Sequence, residues 1–386
     1  MAGTASRLTQ VDGLRAVACL LVIGFHYGVR WTQPWIVDLY YPYHDLFADI
    51  WILKFGRTHA CFFFLVSGFV ILMTLERCAG VADFLRKRIA RLWPTLVLCA
   101  SLTMVATYAF GPKEWTHGPI SYVLSILFID PNTVRGFVNE PRLGWVDGAY
   151  WTLGVEMRFY LLVAALYLVG AKRFLPVWLA AQAVSFAIGA PELRGVHALD
   201  WPRTIMQPVY LPYFTAGICF YEIHRAKALK LLPTLGLVMA TVMILINAGL
   251  WTRFFQEPAL GRTLVNAGWI ALFALFVAGS PVMKVFSFRP LVALGQASYS
   301  LFLLHESVGV ALMRAFDRIG VPPLVNLALV LAIMIGAALM IFRLFEEPAK
   351  DRMLAATARL VALAAERAPW LNYAPRAPTG APTPAT

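Results

Sequence analysis

The chain has 386 residues, 60% of them apolar and only 14% charged, with a mean hydropathy of +0.67; soluble domains carry about 25% charged residues, so a soluble protein is excluded and a polytopic membrane protein implied. The net charge is +12, but no basic stretch is interleaved with aromatics outside the apolar segments, and membrane proteins collect Lys and Arg on cytoplasmic loops, so no nucleic-acid partner is expected. The five cysteines (Cys19, Cys61, Cys78, Cys99 and Cys219) lie mostly in apolar runs without metal-ligand spacing; they read as small hydrophobes, and no metal is expected.

A helix needs about 20 residues to cross the hydrocarbon. Ten segments qualify or nearly so: 13–29, 58–75, 89–110, 150–169, 174–190, 207–223, 231–250, 264–279, 290–313 and 322–345. Their continuous apolar character excludes a β-barrel, whose strands alternate. The first run is interrupted by Arg15 and lacks a following cleavage site, so it is expected to stay as a span.

With the N-terminus in the cytoplasm, inside segments hold 18 of the 33 Lys and Arg residues and outside segments 12. The short inside loops are the dense ones, which favours this orientation. Residues 119–130 are apolar but too short to span, and counting them as a span would invert every later loop. They are expected to be a re-entrant or surface-lying helix within the outer loop 111–149. The expected fold is thus an all-α polytopic protein of the inner (plasma) membrane, a bundle of about ten transmembrane helices with both termini cytoplasmic. Residues 1–12 form the N-terminus, 13–349 the membrane domain and 350–386 a tail, disordered after about 369 where Pro, Ala and Thr dominate.

Ionisable residues inside membrane spans are expensive and mark functional sites. The first segment reads VDGLRAVACLLVIGFHYG. Arg15 and His26 are eleven residues apart, which places them on one helix face roughly 16 Å apart along the axis. Asp12 is in reach of Arg15. The second segment carries Ser67-Gly68 after three Phe residues, a pattern for close helix approach. Next, FLRKRIARLWP sets Arg88 and Arg91 on one face, with Arg86 and Lys87 widening the patch; it serves either as a positive-inside anchor or as a phosphate site. In AYWTLGVEMRFYLL, Thr152, Glu156 and Tyr160 repeat every four residues. Glu156 needs a partner, and Arg158 lies on the wrong side of the helix, so a partner on another span such as Arg15 or His26 is expected. In LGQASYSLFLLHES, Ser298 and His305 share a helix face and Glu306 lies beside His305. The tenth segment ends FRLFEEP, where Glu346, Glu347 and Pro348 are expected to stop the helix.

Together these strings resemble the acyltransferase-3 family of integral membrane acyltransferases over nearly the whole chain. VDGLRAVACLLVIGFH resembles its LDGLRAxA opening with the Arg-to-His spacing, FFFLVSGFV its FFxxSGF element, and FLRKRIARLWP its FxxxRxxRixP element. WTLGVEMRFY resembles its WTLxxExxFY element, LGQASYSLFLLH its LGxxSYSxYLxH element, and FEEP its terminal EkP element. Val66 and Phe302 are small departures. Some relatives carry an additional extracytoplasmic hydrolase-like domain; the residues after the tenth segment leave no room for one, so a stand-alone membrane transferase is expected.

The resemblance implies transfer of an acyl group, most often acetyl from acetyl-CoA, to a hydroxyl of a surface polysaccharide, lipid-linked glycan or other glycosylated acceptor. Acyl-coenzyme A is then a co-substrate, no cofactor is permanently bound, and the bilayer is the remaining partner. Arg88, Arg91, Arg86 and Arg15 are suited to the coenzyme phosphates. His26 is the candidate base or acyl carrier, with Glu156 or another carboxylate orienting it. Ser67, Ser298, Tyr299 and His305 complete the candidate set, the last three as hydrogen-bond donors to an oxyanion. Trp145, Asp147, Tyr150 and Trp151 of the outer loop suit either a sugar or the membrane interface. The competing class is a glycan or lipid transporter or flippase, which also carries intramembrane charges.

Overall fold

The computed structural model describes residues 8–30, 47, 49–137, 140, 142–168, 173–193, 195–250 and 257–367, and no strand occurs among them. The expected disordered tail after about 369 lies outside the described residues. The helices in chain order are α1 (Thr9–Gly28), α2 (Gly56–Leu75), α3 (Val81–Phe110), α4 (Pro119–Ile126), α5 (Pro131–Val134), α6 (Trp151–Tyr167), α7 (Phe174–Ile188) and α8 (Asp200–Met206). They continue as α9 (Leu211–Ala226), α10 (Leu231–Leu250), α11 (Ala259–Val277), α12 (Arg289–Gln296), α13 (Ser298–Leu304), α14 (Ser307–Arg318), α15 (Pro323–Ile341) and α16 (Glu347–Arg367).

The described residues of the ten expected segments are largely helical. Among the described residues, six helical stretches are long and apolar enough to cross a membrane: Thr9–Gly28, Trp51–Leu75, Val81–Phe110, Leu231–Gly249, Ala259–Val277 and Pro323–Leu363. The chain is a multi-pass membrane protein. The apolar stretch 119–130 forms α4, which is eight residues long and at about 1.5 Å per residue covers less than half the hydrocarbon.

Two sequence expectations are corrected here. The ninth segment is not one rod: it is interrupted at Ala297 and again at His305–Glu306, giving α12, α13 and α14. Nor does the tenth segment stop at Pro348. Phe342–Glu346 forms a π turn that leads into α16. The π turn shifts the hydrogen-bond register just ahead of Pro348, where the missing N–H would otherwise orphan a carbonyl.

The chain divides into two compact units. The first comprises the described residues of Met1–Phe63, Arg91–Val155 and Leu245–Lys350; the second comprises those of Phe64–Ala90, Glu156–Ile244 and Asp351–Thr386. In the first, α1 packs along α12 and the 3-10 turn Pro281–Ser287, while α13 and α14 pack on α15. The α1 contact is backbone against backbone. A Cβ on Gly13 would meet the Phe286 carbonyl oxygen at 1.9 Å, and one on Gly295 would meet the Asp12 carbonyl oxygen at 1.8 Å. Two motif glycines thus let the helices touch, the usual reason for small residues at membrane helix crossings. In the second unit α2 and α9 approach in the same way, where a Cβ on Gly68 would meet the Phe214 oxygen at 2.2 Å and one on Gly217 the Leu65 oxygen at 2.1 Å. Phe159 stacks on Phe214 beside this contact, with centroids 3.8 Å apart.

Candidate active site

The interruption between α13 and α14 lies in the first unit. Inside a membrane segment, backbone groups freed by a break must find partners within the protein. Three side chains supply them. Tyr27 donates its hydroxyl to the His305 carbonyl at 2.7 Å, and Tyr150 donates to the Leu303 carbonyl at 3.1 Å. The Asp147 carboxylate accepts the Ser307 N–H at 2.8 Å and the Ala149 N–H at 2.9 Å. Asp147 therefore caps both its own turn and α14. Burial, and the Glu306 carboxylate nearby, push its pKa above the usual carboxylate range.

The break aims His305 and Glu306 at His26 on α1. His305 Nε2 lies 2.9 Å from His26 Nδ1, which also faces the Val22 carbonyl at 3.0 Å. His305 Nδ1 lies 2.8 Å from the Phe302 carbonyl. On the other edge of the ring, His26 Nε2 is 3.3 Å from Glu306 Oε2. Glu306 Oε1 is 2.9 Å from Nε of Arg30, which sits just beyond the C-terminal end of α1. Both histidines and Glu306 are buried, whereas Arg30 is exposed. Val22, Ala60, Ala149 and Phe302 form a small apolar cluster in the same unit, and Tyr27 and Tyr150 belong to the main core.

A second polar group of this unit involves Arg15, near the start of α1. Arg15 pairs with Asp12 at 3.7 Å. Glu346, at the end of the π turn, accepts the Ser300 hydroxyl at 2.6 Å, and the Arg91 and Arg15 guanidiniums act on it electrostatically. Tyr299 donates to the Leu92 carbonyl at 2.9 Å. Ser298 is buried, and its hydroxyl has no hydrogen-bond partner among the described residues.

The second unit holds further motif residues. Ser67 donates to Glu156 at 2.7 Å, and the Tyr160 hydroxyl donates to the same carboxylate oxygen. The Arg88 guanidinium lies over the rings of Tyr160 and Phe84, at 5.5 and 5.8 Å, and donates to Thr74. Arg86 pairs with Asp83 at 2.7 Å and donates to the Leu354 carbonyl. The partners of Glu156 are therefore Ser67 and Tyr160, where the sequence suggested Arg15 or His26. The carboxylate at His26 is Glu306.

Of the suggested oxyanion donors, His305 has both nitrogens engaged and Tyr299 is bonded to backbone. Among the outer-loop candidates, Asp147 and Tyr150 use their polar atoms on the helix break, and the Arg57 guanidinium lies 4.5 Å over the Trp151 ring. Removing the Tyr160 hydroxyl tests the second network. Tyr160→Phe deletes a hydrogen bond to a carboxylate, so about 1.5–3 kcal/mol of stability is expected to be lost, read as a lower melting temperature in detergent. An unchanged melting curve would show that the network carries no stability.

The acyltransferase domain model of the acyltransferase-3 family matches residues 8–343. The O-acetyltransferase OatA of Staphylococcus aureus (strain NCTC 8325 / PS 47) is 24% identical over 381 residues, covering 89% of this chain and 57% of that protein. The peptidoglycan O-acetyltransferase OatA of Listeria monocytogenes is 24% identical over 335 residues, 78% of this chain and 49% of that protein. An O-acetyl transferase of Shigella phage Sf6 is 26% identical over 191 residues, 48% of this chain and 54% of that protein. The chain spans about half the length of these curated relatives. No solved structure matches.

Proposed function

Because the chain belongs to the acyltransferase-3 family, we propose that it is a membrane O-acyltransferase moving an acetyl group from cytoplasmic acyl-coenzyme A to a glycan hydroxyl. The acceptor is a surface polysaccharide, a lipid-linked glycan or another glycosylated molecule, a class supported by the names of the relatives. The observation that carries this reading is the buried His26–His305–Glu306 group at the helix break. A histidine with a carboxylate across its ring is equipped to take up a proton and to stabilise the imidazolium that results.

The acceptor hydroxyl gives its proton to His26, and its oxygen forms a bond to the thioester carbonyl carbon. The C–S bond then breaks, and the coenzyme thiolate leaves and takes the proton back from His26. The pairing of Arg15 and Arg91 around Glu346 supports a role for these two cations in meeting the coenzyme phosphates. Glu346, already under their field, would exchange them for the stronger anion.

The test compares the masses of cell-envelope glycans from cells with the gene, without it, and with it carrying His26→Ala. Acetyl groups are expected to disappear without the gene and to return with the wild-type gene alone. Unchanged glycan masses would overturn the proposal. The interrupted segment α13–α14 is also a feature of transporters, and glycan flux without consumption of acyl-CoA would favour that class instead.

A further inference from the structure

We propose that His305 is a positioning residue that decides which nitrogen of His26 is the base; this rests on the acyl-transfer reading above. A backbone carbonyl only accepts hydrogen bonds, so His305 Nδ1, 2.8 Å from the Phe302 oxygen, must carry a proton and donate it. A neutral imidazole has one N–H, which leaves His305 Nε2 as a bare acceptor. That acceptor is 2.9 Å from His26 Nδ1, whose other neighbour is the Val22 carbonyl at 3.0 Å. Both groups facing Nδ1 of His26 accept, so Nδ1 carries the proton and Nε2 keeps its lone pair.

The Glu306 geometry follows from this. Oε2 lies 3.3 Å from His26 Nε2, an ion-pair distance at which the two atoms are not aligned as a hydrogen bond. Two acceptors face one another there with no proton between them, and Arg30 holds the carboxylate in place through Oε1 at 2.9 Å. Once Nε2 takes the hydroxyl proton the pair carry opposite charges, and a small rotation of the carboxylate aligns a charge-assisted hydrogen bond. An interaction made only after proton transfer favours the transition state over the resting state.

Left to itself, the Glu306 carboxylate would draw the single imidazole proton onto Nε2. It would then be satisfied at rest, and no base would remain. His305 opposes that pull from the other edge of the ring. The arrangement is a tautomer lock built from the residue next to the carboxylate it works against.

The experiment uses the full chain in lipid nanodiscs with 15N-labelled histidine, at neutral pH. The His26 signals, among seven histidines, are identified by their loss in His26→Gln. In the wild type, Nδ1 is expected to be protonated and Nε2 bare. His305→Gln keeps an acceptor for His26 and a donor for Phe302, and is expected to preserve the tautomer and most of the turnover. His305→Met fills the space without an acceptor. It is expected to move the proton to Nε2 and to lower kcat about 10³-fold, with KM changed less than about threefold, within the range for losing a general base.

A wild-type His26 protonated on Nε2, as the other tautomer or as imidazolium, would overturn the assignment. So would a His305→Met protein that keeps its kcat, or a His305→Gln protein that melts normally but loses as much as His305→Met. A wild-type protein with the expected tautomer that transfers no acyl group would instead overturn the function, and with it the role of the lock.

Discussion

Replacing His26 by Ala is expected to lower acyl transfer by about 10³-fold or more, the upper range for removing a general base, while the protein still inserts and folds. The fold should survive because no buried charge is abandoned. Glu306 keeps Arg30 on Oε1, and breaking a buried pair is severe only when one partner is left uncompensated. His305 Nε2 does lose its donor, at a cost of about 1–3 kcal/mol. The measurement is acyl groups transferred per inserted protein, with the melting temperature in detergent as control. Full transfer by His26→Ala would remove this histidine from the chemistry. Glu306→Gln retains the shape but not the charge facing Nε2, so a smaller loss, about 10²-fold, is expected with KM little changed. A loss as large as that of His26→Ala would make Glu306 the principal group.

The second large effect is on stability. Gly295→Leu is expected to destabilise the protein by about 3 kcal/mol or more, at or above the usual range for overpacking. The added Cβ alone would stand 1.8 Å from the Asp12 carbonyl oxygen. The obstacle is backbone rather than a side chain that can swing away, so α12 must move off α1. Asp12 and Arg15 lie on α1 at this contact, and α13 with His305 follows α12 directly. Both stability and transfer are therefore expected to fall together, seen as a lowered melting temperature and lost acyl transfer in the same preparation. A variant with wild-type melting would show that the α1–α12 contact is looser than the structure has it.

Much of the helical layout was legible in the sequence because apolar length is a direct signal. The Arg15 and His26 face needed only helical arithmetic on an unbroken rod, and α1 is unbroken. The same arithmetic misled in the ninth segment. It treated Ser298 to Glu306 as one helix, whereas the chain turns at His305–Glu306 without a Pro or Gly at those two positions. Nothing local announces that turn. Its partners are Tyr27, Tyr150 and Asp147, from distant parts of the chain, and their hydroxyls and carboxylate make the break tolerable. The sequence sets Glu306 beside His305, and its position opposite His26 depends on the same turn. The four-residue stripe of Glu156 and Tyr160 was readable, but its closure by Ser67 comes from another helix, which a pattern along one helix does not reveal. Pro348 looked like a stop because a π turn cannot be seen in a string of residues.

Asp147 holds two amide protons, one in its own turn and one at the start of α14. A single carboxylate shared in this way makes the loop and the half-helix one cooperative opening unit. Loss of this one carboxylate removes the partner of both amides at once. Asp147→Ala should therefore accelerate deuterium uptake at Ala149 and at Ser307 together. The readiness of the imidazole pair would then be set by a segment that itself carries none of the proton chemistry.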